Sequence, residues 1–401
     1  MEEFHRTSGD RLTKIGIVGG MLQGMEAVYL ARKSGMDTMV IDMNDQAPAL
    51  SLADEGYVLD VCSNEEEAKR LLCTCDAVLP ANENIETLTA LCKLLKKMDI
   101  PLLFDLDAYK ISSSKLSSNK LMEALSIPTP QPWPKSGFPV VIKPSGQSGS
   151  TGVVKAYNEN QLGDGIRKIE SLDDEPIIQE FVDGPNISIE VIGNGETFVP
   201  AIMTEVILDD RYDCKMVRCP MQGISREVEL DFLESSRRLA ESVSLRGIMD
   251  VEAIVNDNEA KVLEIDARIP SQTPAAIYNA TGVNLIELLT YALTDGELDE
   301  VIPQRRGASI YEHIAIDGNT MRSCGEGVFS EVRKPRLISG LFGSDEMVTD
   351  FEHGKSSWRA TIICNSSTPE GAWQKRQRCL NNIMKSENIT YYFDPQPEVR
   401  A

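Results

Sequence analysis

Histidine is scarce: His5, His313 and His353 are the only three in 401 residues. So few imidazoles argue against a His-built metal cage and against a Ser-His-Asp triad. Cysteine pairs at zinc spacing are missing too. None of the nine cysteines stands in a CxxC pair, and Cys73-Thr-Cys75 and Cys214/Cys219 match no zinc spacing. They read as reduced, mostly structural thiols of a cytoplasmic protein. No run of about 18 apolar residues occurs, so no membrane-spanning helix is expected. MEEFHRTSGDRLTK, at the N-terminus, has no apolar core and is not a secretory signal. Positive charge is short as well. With 40 Lys and Arg against 62 Asp and Glu, the net charge of −22 argues against nucleic acid as a partner.

What is present suits packed α/β structure. A chain of 401 residues, 42% hydrophobic, allows roughly two or three domains. KIGIVGGMLQGMEAVYLARKSGMDTMVID reads as a buried strand, a glycine turn, a helix and a second strand ending at Asp42. That is the order of a nucleotide-binding β-α-β unit, in which Gly19, Gly20 and Gly24 permit a tight turn opening a helix whose N-terminus attracts anions. The spacing is not GxGxxG, so a Rossmann-like unit without a dinucleotide is the alternative. Tyr57–Cys62 with its following helix, and AVLPANEN with a helix from Ile85 to Met98, continue the pattern to about Asp105.

The next segments change character. DAYKISSSKLSSNKLMEALSIPTPQPWP is a polar helix that stops at a proline-rich linker. FPVVIKPSGQSGSTGVVKAYN is a strand ending in Lys143, a Gly/Ser loop and another strand. This β-loop-β order is not a Walker P-loop, yet SGQSGSTG can present successive backbone N–H groups to phosphates; a plain linker is the alternative. PIIQEFVDGPNISIEVIGN gives two strands, whose connection offers backbone hydrogen bonds to a nucleotide base. Ser225 to Leu245 is helical, and TGVNLIELLTYAL is an amphipathic helix capped by Asn284.

Between these helices lies GIMDVEAIVNDNEAKVLEIDARIP, two apolar-rich runs about the turn-forming NDNEA. In a strand alternate residues share a face. Val251, Ala253 and Val255 then point one way, with Leu263, Ile265 and Ala267 on the partner. Asp250, Glu252, Glu264 and Asp266 point the other way. With the loop centred near Asn258, Glu252 lies opposite Glu264 and Asp250 opposite Asp266. Like charges so placed are destabilising, and a divalent cation would compensate them. A solvated acidic face in a very acidic protein is the alternative.

The order of helix lysine, strand lysine, Gly/Ser loop, strand connection and acidic hairpin closed by Arg268 resembles the ATP-grasp superfamily, over about Lys110 to Leu289. The resemblance implies a Rossmann-like domain (14–105), a small lid subdomain (106–183) and a large subdomain with a C-terminal extension (184–401). The fold is thus α/β, with an α+β catalytic core. It implies ATP and Mg²⁺. Lys115, thirteen residues before Pro128, and Lys143 in VIKP would contact phosphates, with Ser145, Gly146, Ser148 and Ser150 of the loop. Gln179, Glu180 and Val182 would meet adenine. Glu252 and Glu264, twelve apart, would hold Mg²⁺ with Asp266, and Arg268 would stand by the transferred phosphate.

A closer resemblance, from about Lys14 to beyond His313, is to the ligase family of pyrrolysine biosynthesis. It rests on GGMLQG, ADEGY, AVLPANEN, LFDLDAYKIS, IYEH, DDRYDC, GIMDVEAI and above all EIDARIPSQTP. It implies that an acyl phosphate of (3R)-3-methyl-D-ornithine (or of D-ornithine) is attacked by the ε-amine of L-lysine. Arg268, Ser271, Gln272 and Thr273 would hold the carboxylate; Ser188, Glu190 and Asp213 would meet the amines. Gln23, Asp42, Asp54, Asn82 and Glu83 would line the lysine entry. Three positions depart from the family patterns: Met21 replaces a lysine, Ser114 the aspartate before Lys115, and Asn186 a ribose-binding glutamate. Another ATP-grasp amide or dipeptide ligase, a nicotinamide oxidoreductase built on GGMLQG and Asp42, and a non-catalytic nucleotide-binding regulator are the rival functions.

Overall fold

The computed structural model describes residues 13–146, 152–294, 296, 298–299 and 307–397. Strands β1 (Lys14–Val18), β2 (Asp37–Asp42), β3 (Glu55–Val58) and β4 (Ala77–Pro80) form a parallel sheet in the order β3-β2-β1-β4. The runs KIGIV and AVLP are apolar because such a sheet is covered on both faces. Helices α1 (Leu22–Lys33), α2 (Ala49–Leu52), α3 (Glu65–Leu72) and α4 (Ile85–Met98) alternate with the strands. Gly19 has φ +115°, and a Cβ there would stand 2.1 Å from the Ala81 carbonyl oxygen, so the first turn requires glycine.

Two short helices follow, α5 (Leu106–Ser112) and α6 (Lys115–Ala124), where the sequence suggested one. The break falls at Ser113-Ser114. Serine suits caps better than helix interiors, and Ser114 Oγ accepts from the Ser117 N–H at 3.3 Å to start α6. Ala108, Tyr109 and Met122 of these helices join the apolar core beneath the large sheet.

A three-stranded antiparallel sheet comes next, with β5 (Val140–Pro144), β6 (Val154–Ala156) and β7 (Pro176–Glu180) in the order β6-β5-β7. Val140, Ile142 and Ala156 pack under α7 (Glu159–Glu170), which leaves the alternate residue Lys143 on the opposite face.

The large sheet holds twelve strands among the described residues. Its first half is β8 (Asn186–Asn194), β9 (Phe198–Pro200), β10 (Thr204–Leu208), β11 (Cys214–Cys219), β12 (Arg246–Asn256) and β13 (Glu259–Asp266). Beyond the α8 (Arg226–Ser242), α9 (Thr273–Thr281) and α10 (Leu285–Thr294) helices come β14 (Ala308–Asp317), β15 (Thr320–Ser323), β16 (Arg336–Ser339), β17 (Glu346–Thr349), β18 (Ser357–Ser366) and β19 (Tyr391–Phe393), with α11 (Pro369–Ser386) between the last two. The main path runs β13-β12-β8-β10-β11-β14-β18-β17-β16. The C-terminal extension, which carried no readable motif, therefore completes the sheet. One apolar cluster runs from β1 and α1 through α9 and α10 to Tyr311, which seats the N-terminal domain on the catalytic core.

The β12–β13 hairpin sets Asp250 opposite Asp266 and Glu252 opposite Glu264. Its turn is Asp257-Asn258, with φ of 48° and 62°, the left-handed pair that a tight two-residue hairpin needs. A bulge after Glu252 shifts the register. As a result Val262, not Leu263, fills the core beside Val251, Ala253, Ile265 and Ala267.

Candidate active site

The hairpin, α5, α6, the loop after β13 and the edge of the N-terminal domain enclose a cleft of ≈ 430 Å³. Lys115, Glu252, Glu264, Asp266, Arg268, Asp213 and Glu83 line it, with Gly146, Ser271, Gln272 and Thr273. Lys115 opens α6 and reaches Glu264 Oε2 at 3.0 Å. Lys143, one residue before the end of β5, is buried and donates to the Leu263 carbonyl at 3.1 Å. Arg268 is clamped by two carboxylates, with Nε 2.8 Å from Asp266 Oδ2 and Nη2 2.7 Å from Glu83 Oε1.

Charge is unevenly shared among the acids. Burial would raise Glu264, but Lys115 and Lys143 outweigh it and hold the carboxyl below its ordinary range. Burial pushes Glu252 well up, and Asp250, Glu264 and Asp266 push it further. Burial raises Asp266 to about 6 against the pull of Arg268. Asp213 also rises to about 6 by burial, opposed by the Gly327 N–H at 3.1 Å. Burial pulls Lys143 down, with Glu264 opposing.

This donor set fits a hard divalent cation. Glu252 and Glu264 directly oppose each other, and Asp266 Oδ1 has no hydrogen-bond partner among the described residues. Also among those residues, no three His, Cys, Asp or Glu side chains already converge as a cage. The carboxylates thus offer part of a shell, as Mg²⁺ prefers when phosphate oxygens supply the rest.

Other expected residues fall around this centre. Ser145 Oγ accepts from the Leu116 N–H at 3.4 Å, and the N–H groups of Ser145 and Gly146 turn to Asp174 at 3.1 and 3.2 Å. Ser148 and Ser150 lie outside the described residues. Gln179 and Val182 are buried, and Glu180 Oε2 takes Lys261 at 2.9 Å, so this connection borders the hairpin rather than lining the cleft. Ser188 and Glu190 sit on β8, beside β12 in the sheet and directly opposite Glu252 and Asp250, and Ser188 Oγ donates to Asp250 Oδ1; burial raises Glu190 to about 7.

In the N-terminal domain, Glu83 reaches the cleft and Gln23 Nε2 donates to it at 3.2 Å. Asp42 Oδ2 accepts from the Gly20 N–H at 2.5 Å and Asn82 Nδ2 donates to the Val18 carbonyl at 2.9 Å, so both bind the turns at the strand ends. Asp54 corrects the sequence reading. It precedes β3, and its carboxylate takes Thr38 N–H and Oγ1 at 2.9 and 2.8 Å at the opposite end of β2, away from the cleft. Sequence reasoning missed Glu326, whose Oε2 accepts from Ser271 Oγ at 2.7 Å and Gln272 Nε2 at 3.1 Å. It arrives from a short helical turn with no local pattern. It also missed Glu26, a lone acid inside the apolar stretch of α1; that isolation was the available signal.

Comparisons with known proteins place the chain in a family. An ATP-grasp domain model matches residues 112–272, and a model described as PylC-like, N-terminal domain matches 15–103. The 3-methyl-D-ornithine–L-lysine ligase of Methanosarcina barkeri is 40% identical over 319 residues, 79% of this chain and 84% of that protein. Its namesake from Methanosarcina acetivorans is 41% identical over 318 residues, 79% and 84% of the two chains. Among solved structures, the biotin carboxylase domain of Hydrogenobacter thermophilus 2-oxoglutarate carboxylase, in complex with MgADP and bicarbonate, superposes with a TM-score of 0.70 at 16% identity, covering 92% of this chain and 90% of that one. The N5-carboxyaminoimidazole synthetase of Staphylococcus aureus, complexed with ADP, gives 0.67 at 17% identity, covering 92% and 96%. These two show the shared fold. With sequence, hairpin and relatives in accord, the chain belongs to the ATP-grasp superfamily and, within it, to the 3-methyl-D-ornithine–L-lysine ligase family.

Proposed function

We propose that this chain is an ADP-forming carbon–nitrogen ligase that joins the carboxylate of (3R)-3-methyl-D-ornithine to the ε-amine of L-lysine in pyrrolysine biosynthesis. The observation that carries the reading is the register pairing Glu252 with Glu264 below Lys115, with Arg268 two residues past the hairpin. The names of the relatives supply the substrates. Glu252, Glu264 and Asp266 would hold Mg²⁺, whose contribution is to neutralise charge on the transferring phosphoryl group.

The chain's own residues do the positioning. Lys115, Lys143 and Arg268 hold the phosphates, and the two carboxylates on Arg268 fix the direction of its guanidinium. The Gln179–Val182 connection takes the adenine edge. Arg268 and the Ser271–Thr273 turn receive the methylornithine carboxylate, which ATP converts to an acyl phosphate with release of ADP. Asp213 supplies the negative charge that a substrate ammonium needs. The lysine ε-amine then attacks the acyl carbon and phosphate leaves. Its ordinary pKa is about 10.4, so it gives up a proton before attack. Nine free cysteines suit a reducing compartment such as the cytoplasm, and no helix among the described residues is long and apolar enough to cross a membrane.

The test is purified protein with ATP, Mg²⁺, 3-methyl-D-ornithine or D-ornithine, and L-lysine. Mass spectrometry should find the amide, and nucleotide chromatography ADP with phosphate. AMP with pyrophosphate would sink the acyl-phosphate mechanism.

A further inference from the structure

Gln272 lies in the cleft wall with φ 72° and ψ −55°, and the Thr273 N–H donates to the Ser271 carbonyl across it at 2.8 Å. That is a γ-turn of the strained, positive-φ kind, which persists only where its surroundings over-determine it. Two sets of contacts do so here. The Gln272 side chain is held by Glu326, by the Cys214 carbonyl at 3.3 Å and by the Cys214 thiol at 2.7 Å. Its backbone N–H donates to Glu26 Oε2, from α1 of the other domain. Glu26 is 3% exposed, and its second oxygen accepts from the Tyr311 hydroxyl. A carboxyl group so buried is costly unless both oxygens are satisfied, and here both partners are donors. Helix packing alone would be served better by an apolar residue among the buried Met25, Ala27 and Val28.

We propose that Glu26 is a positioning residue that holds the substrate-facing turn at Gln272 in its strained shape, so that α1 of the N-terminal domain sets the geometry of the carboxylate-binding loop. The assignment rests on the functional reading above for which substrate that loop receives. Glu26→Gln is the direct test, because it can turn an amide donor toward the Gln272 N–H. The KM for methylornithine should rise about tenfold, the size expected when a strained turn is released, while the KM for ATP stays within about twofold. An unchanged methylornithine KM overturns the proposal. Action through Gln272 is tested by adding Glu26→Gln to Gln272→Gly, since glycine enters positive φ unaided. The added factor should shrink toward one, and a full tenfold loss in that background overturns the route. Should Glu26→Gln fold poorly, Tyr311→Phe frees only Glu26 Oε1 and should raise the same KM by a smaller factor. The shape of the turn in Glu26→Gln crystals, read without substrate, separates this inference from the functional reading: a γ-turn that stays intact there overturns it, whatever reaction the wild type performs.

Discussion

Glu252 and Glu264 face each other across the hairpin, yet their neighbours make them unequal. Glu264 has Lys115 at 3.0 Å and Lys143 nearby, whereas Glu252 is crowded by Asp250, Glu264 and Asp266. On the proposed Mg²⁺ role of this pair, either change to glutamine should lower turnover by at least about 100-fold, since the charge stabilisation lost would be worth several kcal/mol. The effects on the metal-free protein should oppose each other. Glu264 sits below the ordinary carboxyl value of about 4.3, so its stabilising share is present above that pH and lost as pH falls through the depressed value. Glu264→Gln should therefore lower Tm at pH 7, leaving two lysines short of a counter-charge. Glu252 sits above the ordinary value, so its share is present below about pH 4 and lost as pH rises. Glu252→Gln should then hold or raise Tm at pH 7, and more so at pH 8. Calorimetry without metal checks both; equal Tm changes in the two variants would mean that the acids are merely solvated. Asp213, raised to about 6 by burial, adds a kinetic signature. Below pH 6 it takes up a proton and loses the charge offered to a substrate ammonium. The methylornithine KM should climb on that limb, and Asp213→Asn should flatten it at a uniformly higher KM.

The hairpin element shows what the sequence exposed and what it concealed. Its alternation was readable from the two-residue side-chain period, although a two-residue turn at Asp257-Asn258 by itself would set Glu252 opposite Leu263, and only the bulge brings Glu264 there. The bulge that moves Val262 into the core was not, since nothing in VLEID marks where a ladder skips a residue. In the same way the α/β order and the capped starts of α8 and α10 were local signals, with Ser225 and Asn284 at the caps. The break between α5 and α6 required weighing Ser113 and Ser114 against a continuous polar pattern. The pairing of β14 with β11 and β18 joins distant segments and has no local signature at all. The turn itself offers a test at this scale. Asp257 and Asn258 both hold positive φ, where glycine is at ease and a β-branched residue is not. Asn258→Gly should raise the unfolding free energy or leave it level, while Asn258→Val should lower it by about 1 kcal/mol. ATP turnover should stay near wild type in both. A large loss of turnover in Asn258→Gly would mean that the turn serves the chemistry directly.

At the scale of the whole molecule, the cleft is assembled from three parts that meet at Arg268. The hairpin brings Asp266, α5 brings Tyr109, and the N-terminal domain brings Glu83. Asp394 and the Pro395 carbonyl receive the buried ammonium of Lys215, the residue after Cys214 in the cleft wall. Glu83 is thus held from several directions: its carboxylate takes Arg268 and Gln23 Nε2, and its carbonyl accepts from the Tyr109 hydroxyl at 3.0 Å. Strand ends of open α/β sheets are where ligands bind, and Glu83 stands just past the end of β4. Met21 carries no cation, and its side chain makes no cap hydrogen bond, so the attraction for an anion there falls to the N–H groups of α1's first turn. An acidic group beside it suits an amino acid that carries one carboxylate and two amines. Glu83→Gln keeps the shape and one acceptor but drops the charge. It should raise the KM for L-lysine at least several-fold and leave the KM for ATP nearly unchanged. A modest fall in kcat should accompany it, because Arg268 loses the Glu83 half of its two-carboxylate clamp. Steady-state kinetics with each substrate varied in turn would decide it. A fall in kcat with an unchanged lysine KM would make Glu83 a brace for Arg268 alone and move the acceptor amine's site elsewhere.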